Sequence, residues 1–246
     1  MTASTWYADT RIGFDLETTE ANPEEARIVT ASVITVRPGA RPETLSWLAD
    51  PGVDIPDEAA AIHGITTEYA KDHGNAAELV VSDVAAVICH ALRRGIPVVA
   101  YNASYDFTVL DRELARYDLG GLVERLGSVK AICPVIDPFV IDRALDKYRK
   151  GKRTLTAACQ QYQVTLAGAH DSSADALAAV RLATVLAAHY PEEVGDIEPA
   201  ELHKRQIVWH AERQKDFAAY LRRSGKDATD VDGSWPIRLR PESKAA

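Results

Sequence analysis

The sequence predicts an α/β fold, a mixed β-sheet flanked by helices, with a C-terminal helical extension. Three apolar runs of the kind that form buried strands come first, at residues 11–17, 28–36 and 43–48. Strand-like and helix-like segments then alternate as far as residue 189. Three strands in succession favour an antiparallel meander, and the alternation that follows favours strands covered by helices, so the sheet is expected to be mixed.

The elements after the meander follow from hydrophobic spacing and turn residues. The turn signal Arg37-Pro-Gly-Ala-Arg-Pro42 separates the second and third strands. Apolar residues at helical intervals predict a helix over residues 76–94, and an apolar run predicts a buried strand over 98–101. The other elements predicted as far as residue 189 are helices at 104–117, 136–148, 155–162 and 172–189 and a strand near 129–133.

The chain is expected to form one domain over residues 1–190 and an extension, residues 191–246, packed on it. The extension begins with one predicted long helix, in which Trp209 and Phe217 are expected to pack on the core rather than stack on bases. The last 20 residues mix acidic residues with glycine and proline, which is typical of a loose arm on the surface.

Composition and charge limit the class of protein. The net charge of −8 argues against a protein that coats nucleic acid regardless of sequence, although a local basic surface could still grip a short strand end. No apolar run reaches the roughly 20 residues that span a bilayer, so no membrane partner is expected. The first residues lack the pattern of a signal peptide and the three cysteines form no C-x-x-C pair, which favours a cytoplasmic location.

Two acidic residues in the first predicted strand are the first candidates for a functional site. Asp15 and Glu17 are two positions apart, so their side chains project from the same face of the strand. Two ionised carboxylates at that spacing repel each other unless a cation lies between them or one takes a proton. Carboxylate oxygens select hard cations such as Mg²⁺ or Mn²⁺. The pair indicates either a divalent metal site or a solvated strand end with a chance acidic pair.

Three further candidates are ambiguous when each is taken singly. Asp106 would lie in the first turn of a helix capped by Ser104, where it could simply complement the helix dipole. Ser172 and Asp175 have the S-x-x-D spacing of a capping box at the start of the helix predicted there. His170 would then be an ordinary loop histidine.

Together, the order and spacing of these residues resemble the DnaQ-like (DEDDh) exonuclease superfamily, which includes the proofreading subunits of bacterial replicative polymerases. The segments similar to its three motifs are Phe14-Asp-Leu-Glu-Thr-Thr19, Asn102-Ala-Ser-Tyr-Asp-Phe107 and His170-x4-Asp175. Ile62-His-Gly-Ile-Thr66 is similar to a segment that flanks the substrate cleft in proofreading-type members. The resemblance implies a ribonuclease H-like fold and a metal-dependent 3′-5′ exonuclease that releases nucleoside monophosphates.

The resemblance also implies a role for each residue of the motifs. Asp15 would bridge two metal ions, Mg²⁺ or Mn²⁺, with Glu17 and Asp175 completing one and Asp106 supporting the second. His170 would be the general base that takes a proton from the attacking water. Two ions about 3.5–4 Å apart stabilise both the attacking and the leaving oxygen of an in-line displacement. A histidine with the usual pKa of about 6.5 can accept a proton at neutral pH.

Substrate contacts are expected around the same motifs. The residues expected to bind the 3′-terminal nucleotide are Thr18, His63 and Phe107, with Phe14, Asn102 and Lys152 as further contacts. Lys152 lies in a basic stretch, residues 143–153, that is either a phosphate-tracking edge of the cleft or a solvated helix end. The superfamily often has histidine and phenylalanine where this chain has Tyr101 and Tyr105. The first of these departures, at Tyr101, affects the expected cleft rim rather than the metal site.

The predicted substrate is DNA, as a single strand or a frayed 3′ end, because segment 62–66 is similar to that of proofreading-type members. RNA or short oligoribonucleotides are the first alternative, since discrimination depends on contacts to the 2′-OH. The second alternative is a non-catalytic module that binds nucleic-acid ends or a polymerase. Such a module would be expected to lack a metal ligand, and all five motif positions are present here. A DNA polymerase is a candidate partner, although the sequence contains no convincing docking peptide.

Overall fold

The computed structural model describes residues 5–127, 131–166 and 170–240. Their centre is a six-stranded sheet in the order β4-β3-β2-β1-β5-β6. The strands are β1 (Arg11–Thr18), β2 (Ile28–Val36), β3 (Glu43–Asp50), β4 (Asn75–Ala76), β5 (Val98–Val99) and β6 (Val135–Ile136). The helices are α1 (Asp57–His63), α2 (Thr67–His73), α3 (Ala77–Arg93), α4 (Ala103–Arg116), α5 (Leu122–Leu126), α6 (Pro138–Leu145), α7 (Leu155–Gln161), α8 (Ser172–His189) and α9 (Pro199–Arg223).

The sheet is mixed, as the sequence predicts. β1 pairs antiparallel with β2, and β2 pairs antiparallel with β3, which confirms the predicted meander. β5 pairs parallel with both β1 and β6. The carboxyl ends of β1, β5 and β6 therefore lie at one edge of the sheet, and the chain that leaves each of these strands begins there.

The differences from the predicted elements concern short segments. Helices α1 and α2 have seven residues each, too few for hydrophobic periodicity to show. Of the strand predicted near 129–133, residues 129–130 lie outside the described ranges and 131–133 are not in a strand, so the prediction is wrong for those three. Helix α6 begins at Pro138 rather than at residue 136, because proline suits the first helical position and Asp137 caps the helix.

The two faces of β1 are covered by different helices. Ile12, Phe14 and Leu16 belong to the core that contains α3 and α4. The opposite face is covered by α8, which approaches β1 so closely that a Cβ at Gly13 would lie 2.5 Å from the carbonyl oxygen of Ala176. Only glycine permits this approach, which brings the first turn of α8 to the strand face that carries the two acidic residues of β1.

The C-terminal extension packs on the core. Helix α9 contacts α6 and β6, and Trp209 packs against both cores as predicted, whereas Phe217 stays partly exposed. In the arm that follows, residues 227–230 are mostly exposed, whereas Trp235 is only 5% exposed and is part of the core, so the predicted loose arm is packed around this residue. The division of the chain at residue 190 stays a prediction.

Two further properties complete the description of the fold. In the ranges that the structure describes, no helix combines the length and the apolar character needed to cross a membrane. All three cysteines are free thiols, and Cys89 and Cys159 are buried in the core, while Cys133 is partly buried.

Candidate active site

Three carboxylates converge at the carboxyl end of β1. One oxygen from each of Asp15, Glu17 and Asp175 lies within 4.8 Å of the others, which makes the group a candidate metal site. Asp15 and Glu17 project from the face of β1 that α8 covers, as their spacing predicts. Asp175 lies in the first turn of α8, which the glycine in β1 allows to come close. The structure brings these three residues together, and their role as metal ligands stays a prediction.

The N-terminus of α8 is capped without Asp175. The Oδ1 atom of Asp171 accepts hydrogen bonds from two backbone N–H groups of the first turn, at 2.9 and 3.1 Å. The alternative in which Ser172 and Asp175 form a capping box is therefore wrong. Ser172 is instead buried, and its hydroxyl bonds to that of Ser32 on β2 at 2.8 Å. The Asp175 carboxylate is left available for another role.

Asp106 lies beside this group but is held differently. It is 3% exposed, and its Oδ1 accepts a hydrogen bond from the backbone N–H of Leu16 on β1 at 3.1 Å. It lies in the first turn of α4, as predicted, but the residue at the N-cap position is Asn102 and not Ser104. Asp106 is not among the three converging carboxylates, yet its charge is close enough to raise the pKa of Asp15.

Burial and mutual repulsion make the ionised cluster unfavourable. Burial, followed by the charges of Asp106, Glu17 and Asp175, raises the pKa of Asp15 well above its ordinary value. Burial, followed by the charges of Asp175 and Asp171, raises the pKa of Glu17 to about 7. A divalent cation would reverse both effects by placing positive charge among the carboxylates.

The donor set fits Mg²⁺ or Mn²⁺. All its members are carboxylates, the oxygen ligands that these hard cations prefer. The Oδ1 atom of Asp175 is buried and has no hydrogen-bond partner, although a buried carboxylate oxygen normally has one. The Oδ2 atom of the same residue accepts a hydrogen bond from the backbone N–H of His170 at 3.2 Å. A cation is the partner whose chemistry would satisfy the free oxygen.

His170 lies on an exposed turn directly before the capping residue of α8. Its backbone is left-handed, with φ of 69°, a conformation in which histidine is enriched among residues other than glycine. The hydrogen bond from its N–H to Asp175 ties this turn to the carboxylate cluster. Residues 167–169, which precede it, lie outside the described ranges.

Two of the predicted substrate contacts, Thr18 and His63, lie together at the end of β1. Burial lowers the pKa of His63, and the nearby backbone of Thr18 offsets part of that effect. The Nε2 atom of His63 is buried without a hydrogen-bond partner. No role in substrate binding was predicted for Tyr105. Its hydroxyl hydrogen-bonds to that of Thr18 and donates to the carbonyl of Glu20 at 2.5 Å. Tyr105 thus ties the end of β1 to α4.

The other predicted contacts around the motifs differ in their exposure. Phe14 and Phe107 are both 0% exposed and pack edge to face in the core, with ring centroids 5.6 Å apart. Their side chains present no surface to a nucleotide, so we leave both out of the proposed pocket. Asn102 is exposed at the start of α4 in a left-handed conformation, with φ of 66°.

The basic stretch contains two kinds of side chain. Arg149 and Arg153 both bind the fully buried Oδ2 of Asp142, at 2.6 and 2.8 Å, so these two guanidinium groups hold the loop between α6 and α7. Lys150 and Lys152 are exposed and make no ion pair in the described residues. The loop borders an open cleft of about 500 Å³ lined by Arg143, Lys147, Arg149, Gly151, Lys152, Arg153 and Thr154.

The sequence is similar to those of known proteins. A family model described as exonuclease (RNase_T) matches residues 12–183. The chain is 26% identical to the DNA polymerase III subunit epsilon of Treponema pallidum (strain Nichols). The alignment extends over 182 residues, which are 74% of this chain and 78% of that protein.

Solved structures of exonuclease I have a similar fold. For the E. coli enzyme in complex with a dT13 oligonucleotide, the TM-score is 0.59 at 17% identity, over 74% of this chain and 42% of that one. For the exonuclease I from Methylocaldum szegediense, the TM-score is 0.58 at 18% identity, over 86% of this chain and 46% of that one. The chain spans less than half the length of these two enzymes, and the likeness confirms the ribonuclease H-like fold alone.

Proposed function

Because the chain belongs to the exonuclease family whose model matches residues 12–183, we propose that it is a metal-dependent 3′-5′ exonuclease that removes nucleoside monophosphates from DNA. The observation that carries the proposal is the convergence of Asp15, Glu17 and Asp175, with a buried, unpartnered oxygen on Asp175. DNA is the proposed substrate because the Treponema pallidum relative is named as a DNA polymerase subunit and one similar structure contains a dT13 oligonucleotide. A DNA polymerase is a proposed partner on the same ground.

The residues that would hold two divalent ions are Asp15, Glu17 and Asp175 for one, and Asp15 with Asp106 for the other. When bound, such ions stabilise the negative charge that develops on the attacking and leaving oxygens. His170 accepts the proton of the attacking water on an imidazole nitrogen, from a turn that its own N–H anchors to Asp175. Thr18 and His63 contact the terminal nucleotide, and Tyr105 holds Thr18 in place.

The polarity of the reaction is tested with blocked ends. A single-stranded DNA that carries a 3′-phosphate is expected to be degraded at least about tenfold more slowly than its 3′-hydroxyl counterpart, because the extra charge would lie against the carboxylate cluster. The 3′-hydroxyl strand, when it is blocked by a label at its 5′ end, should be degraded at the normal rate and should shorten from its 3′ end. Rapid digestion of the 3′-phosphate strand together with protection by the 5′ label would contradict both the polarity and the pocket.

RNA is compared in the same assay. A matched RNA strand with a free 3′-hydroxyl is expected to be degraded more slowly than DNA if the DNA proposal is right, and faster if the chain is an exoribonuclease. Asp15→Asn protein serves as the control for contaminating nucleases, because it keeps the shape of the side chain and loses its charge. Turnover that is the same in this control and in the wild type would show that the activity does not come from the proposed site.

The exposed lysines of the cleft are proposed to bind phosphates behind the scissile bond. The loop that carries Lys150 and Lys152 leads into α7, which packs against α8, the helix that carries Asp175. Tyr101, at the end of β5, donates a hydrogen bond from its hydroxyl to the carbonyl of Arg153 at 2.8 Å. These contacts link the loop to the end of β5 and, through α7, to α8.

Replacing Lys147, Lys150 and Lys152 together by alanine is expected to flatten the slope of log affinity against log salt by up to about 2 units, since each phosphate neutralised on a single strand contributes about 0.7. Binding is measured on Asp15→Asn protein, so that no cleavage occurs. Arg149 and Arg153 are left intact because they hold the loop. A matched variant that removes three exposed charges elsewhere, at Arg94, Lys204 and Lys226, should keep the slope. Equal slopes in the two variants would make the cleft an ordinary solvated surface.

A further inference from the structure

One buried carboxylate, Asp137, holds the start of two helices. It follows β6, is 1% exposed, and its Oδ1 accepts the backbone N–H of Phe139 at 2.9 Å as the cap of its own helix, α6. The same carboxylate also accepts the backbone N–H groups of Asn102 and Ala103, each at 2.9 Å. These two groups belong to the first residues of α4, so Asp137 is a second cap supplied from a neighbouring strand.

Helix α4 depends on this outside cap. Asn102 precedes the helix in a left-handed conformation, and its own side chain makes no capping hydrogen bond. One turn later, Asp106 accepts the N–H of Leu16 on β1. The position of Asp106 relative to β1 is therefore set by the start of α4, and the start of α4 is set by Asp137.

The C-terminal extension holds Asp137 in turn. The fully buried Gln206 of α9 accepts the backbone N–H of Asp137 on its Oε1 at 2.6 Å and donates from Nε2 to the carbonyl of Val135 at 3.0 Å. The indole N–H of Trp235, in the arm, donates to Oδ2 of Asp137 at 3.4 Å. Both contacts come from residues beyond the stretch that the exonuclease family model matches.

The arm also binds the middle of α4 directly. The backbone N–H of Arg238 donates to the buried hydroxyl of Thr108 at 3.0 Å. Arg112 donates from Nη2 to the carbonyl of Arg238 at 3.0 Å, and Arg240 pairs with Asp111 at 3.1 Å. The extension therefore contacts α4 at its start, through Asp137, and again further along the helix, at Thr108, Asp111 and Arg112.

We propose that Asp137 is a positioning residue and that the extension is part of the active-site scaffold. Gln206 and Trp235 hold Asp137, which fixes the start of α4 and so the place of Asp106 beside the carboxylate cluster. The consequence for catalysis rests on the proposed nuclease function, whereas the consequence for α4 does not. A displacement of about 1 Å at a catalytic group can cost up to about 10²-fold in rate, so the hydrogen bonds of Asp137 are expected to matter for turnover.

The first test is Asp137→Asn in the full-length chain. An amide can present only one oxygen, so its NH₂ group must face N–H donors on one side, either those of Asn102 and Phe139 or those of Ala103 and Trp235. We expect kcat on single-stranded DNA to fall by roughly 10- to 100-fold with KM nearly unchanged. Amide hydrogen exchange over residues 102–107, measured by mass spectrometry, should become about tenfold faster.

Two further variants separate positioning from loss of stability. Gln206→Met keeps the length of the side chain and removes its hydrogen bonds, and it should change exchange and kcat in the same direction as Asp137→Asn. Leu202→Ala opens a cavity in the second core on the same helix and should lower thermal stability without either change. Wild-type exchange over 102–107 in both Asp137→Asn and Gln206→Met would overturn the proposal, as would equal effects in Leu202→Ala. If the wild type proved to have no nuclease activity, the exchange measurement alone would decide.

Discussion

Replacing Asp15 by asparagine is expected to lower kcat by about 10³-fold or more. Asp15 is the residue proposed to contact both ions, and the loss of several kcal/mol of charge stabilisation corresponds to a factor of that size. The fold should survive, because burial and four neighbouring carboxylates already raise the pKa of Asp15. Removing its charge relieves repulsion in the metal-free protein, so the melting temperature in the presence of a chelator should be equal to or higher than that of the wild type.

The measurement is turnover of a labelled single strand after chelation and return of metal. Mg²⁺ or Mn²⁺ should restore wild-type activity, and Ca²⁺ should not, since its longer bonds and higher coordination number fit a site for two small ions poorly. Mn²⁺ should also raise the melting temperature of the wild type more than that of Asp15→Asn, because binding to the folded state stabilises it.

The matched control is Asp83→Asn, which makes the same chemical change at an exposed position on α3. It should behave as the wild type in both activity and metal response. Asp15→Asn protein that keeps more than a few per cent of wild-type turnover at saturating Mg²⁺ would contradict the metal site, and activity with Ca²⁺ would contradict the choice of ion.

The parts of the fold that the sequence could predict are those with long regular patterns. The meander, α3 and α8 each extend over enough residues for their periodicity to show, and the predicted bounds of α8 agree with the structure. The strand β6 has two residues, and it is held by β5 and by the buried Gln206 of α9. A contact between segments about 70 positions apart in the chain leaves no local pattern. The strand was therefore predicted near residues 129–133, whereas the structure has it at Val135–Ile136.

The same distinction separates the predictable and unpredictable parts of the site. The alternation of a strand is enough to put Asp15 and Glu17 on one face. That Asp175 reaches them depends on the close approach of α8 at Gly13, a glycine whose purpose becomes clear only in three dimensions. The basic stretch illustrates the opposite case, because Arg149 and Arg153 look free in the sequence and are bound to a buried aspartate in the structure.

Replacing His170 is the second change for which a large effect is expected. Because φ at this position is 69°, alanine would add backbone strain, whereas asparagine tolerates the left-handed region. His170→Asn should lower kcat by roughly 10²–10⁴-fold, the usual contribution of a general base. The three converging groups are all carboxylates, so the Mn²⁺ concentration required for half-maximal activity should be nearly unchanged.

The control is His90→Asn, an exposed histidine in the last turn of α3, which should keep wild-type kinetics. Wild-type turnover in His170→Asn would make His170 an ordinary turn residue, and a large rise in the Mn²⁺ requirement would make it a ligand.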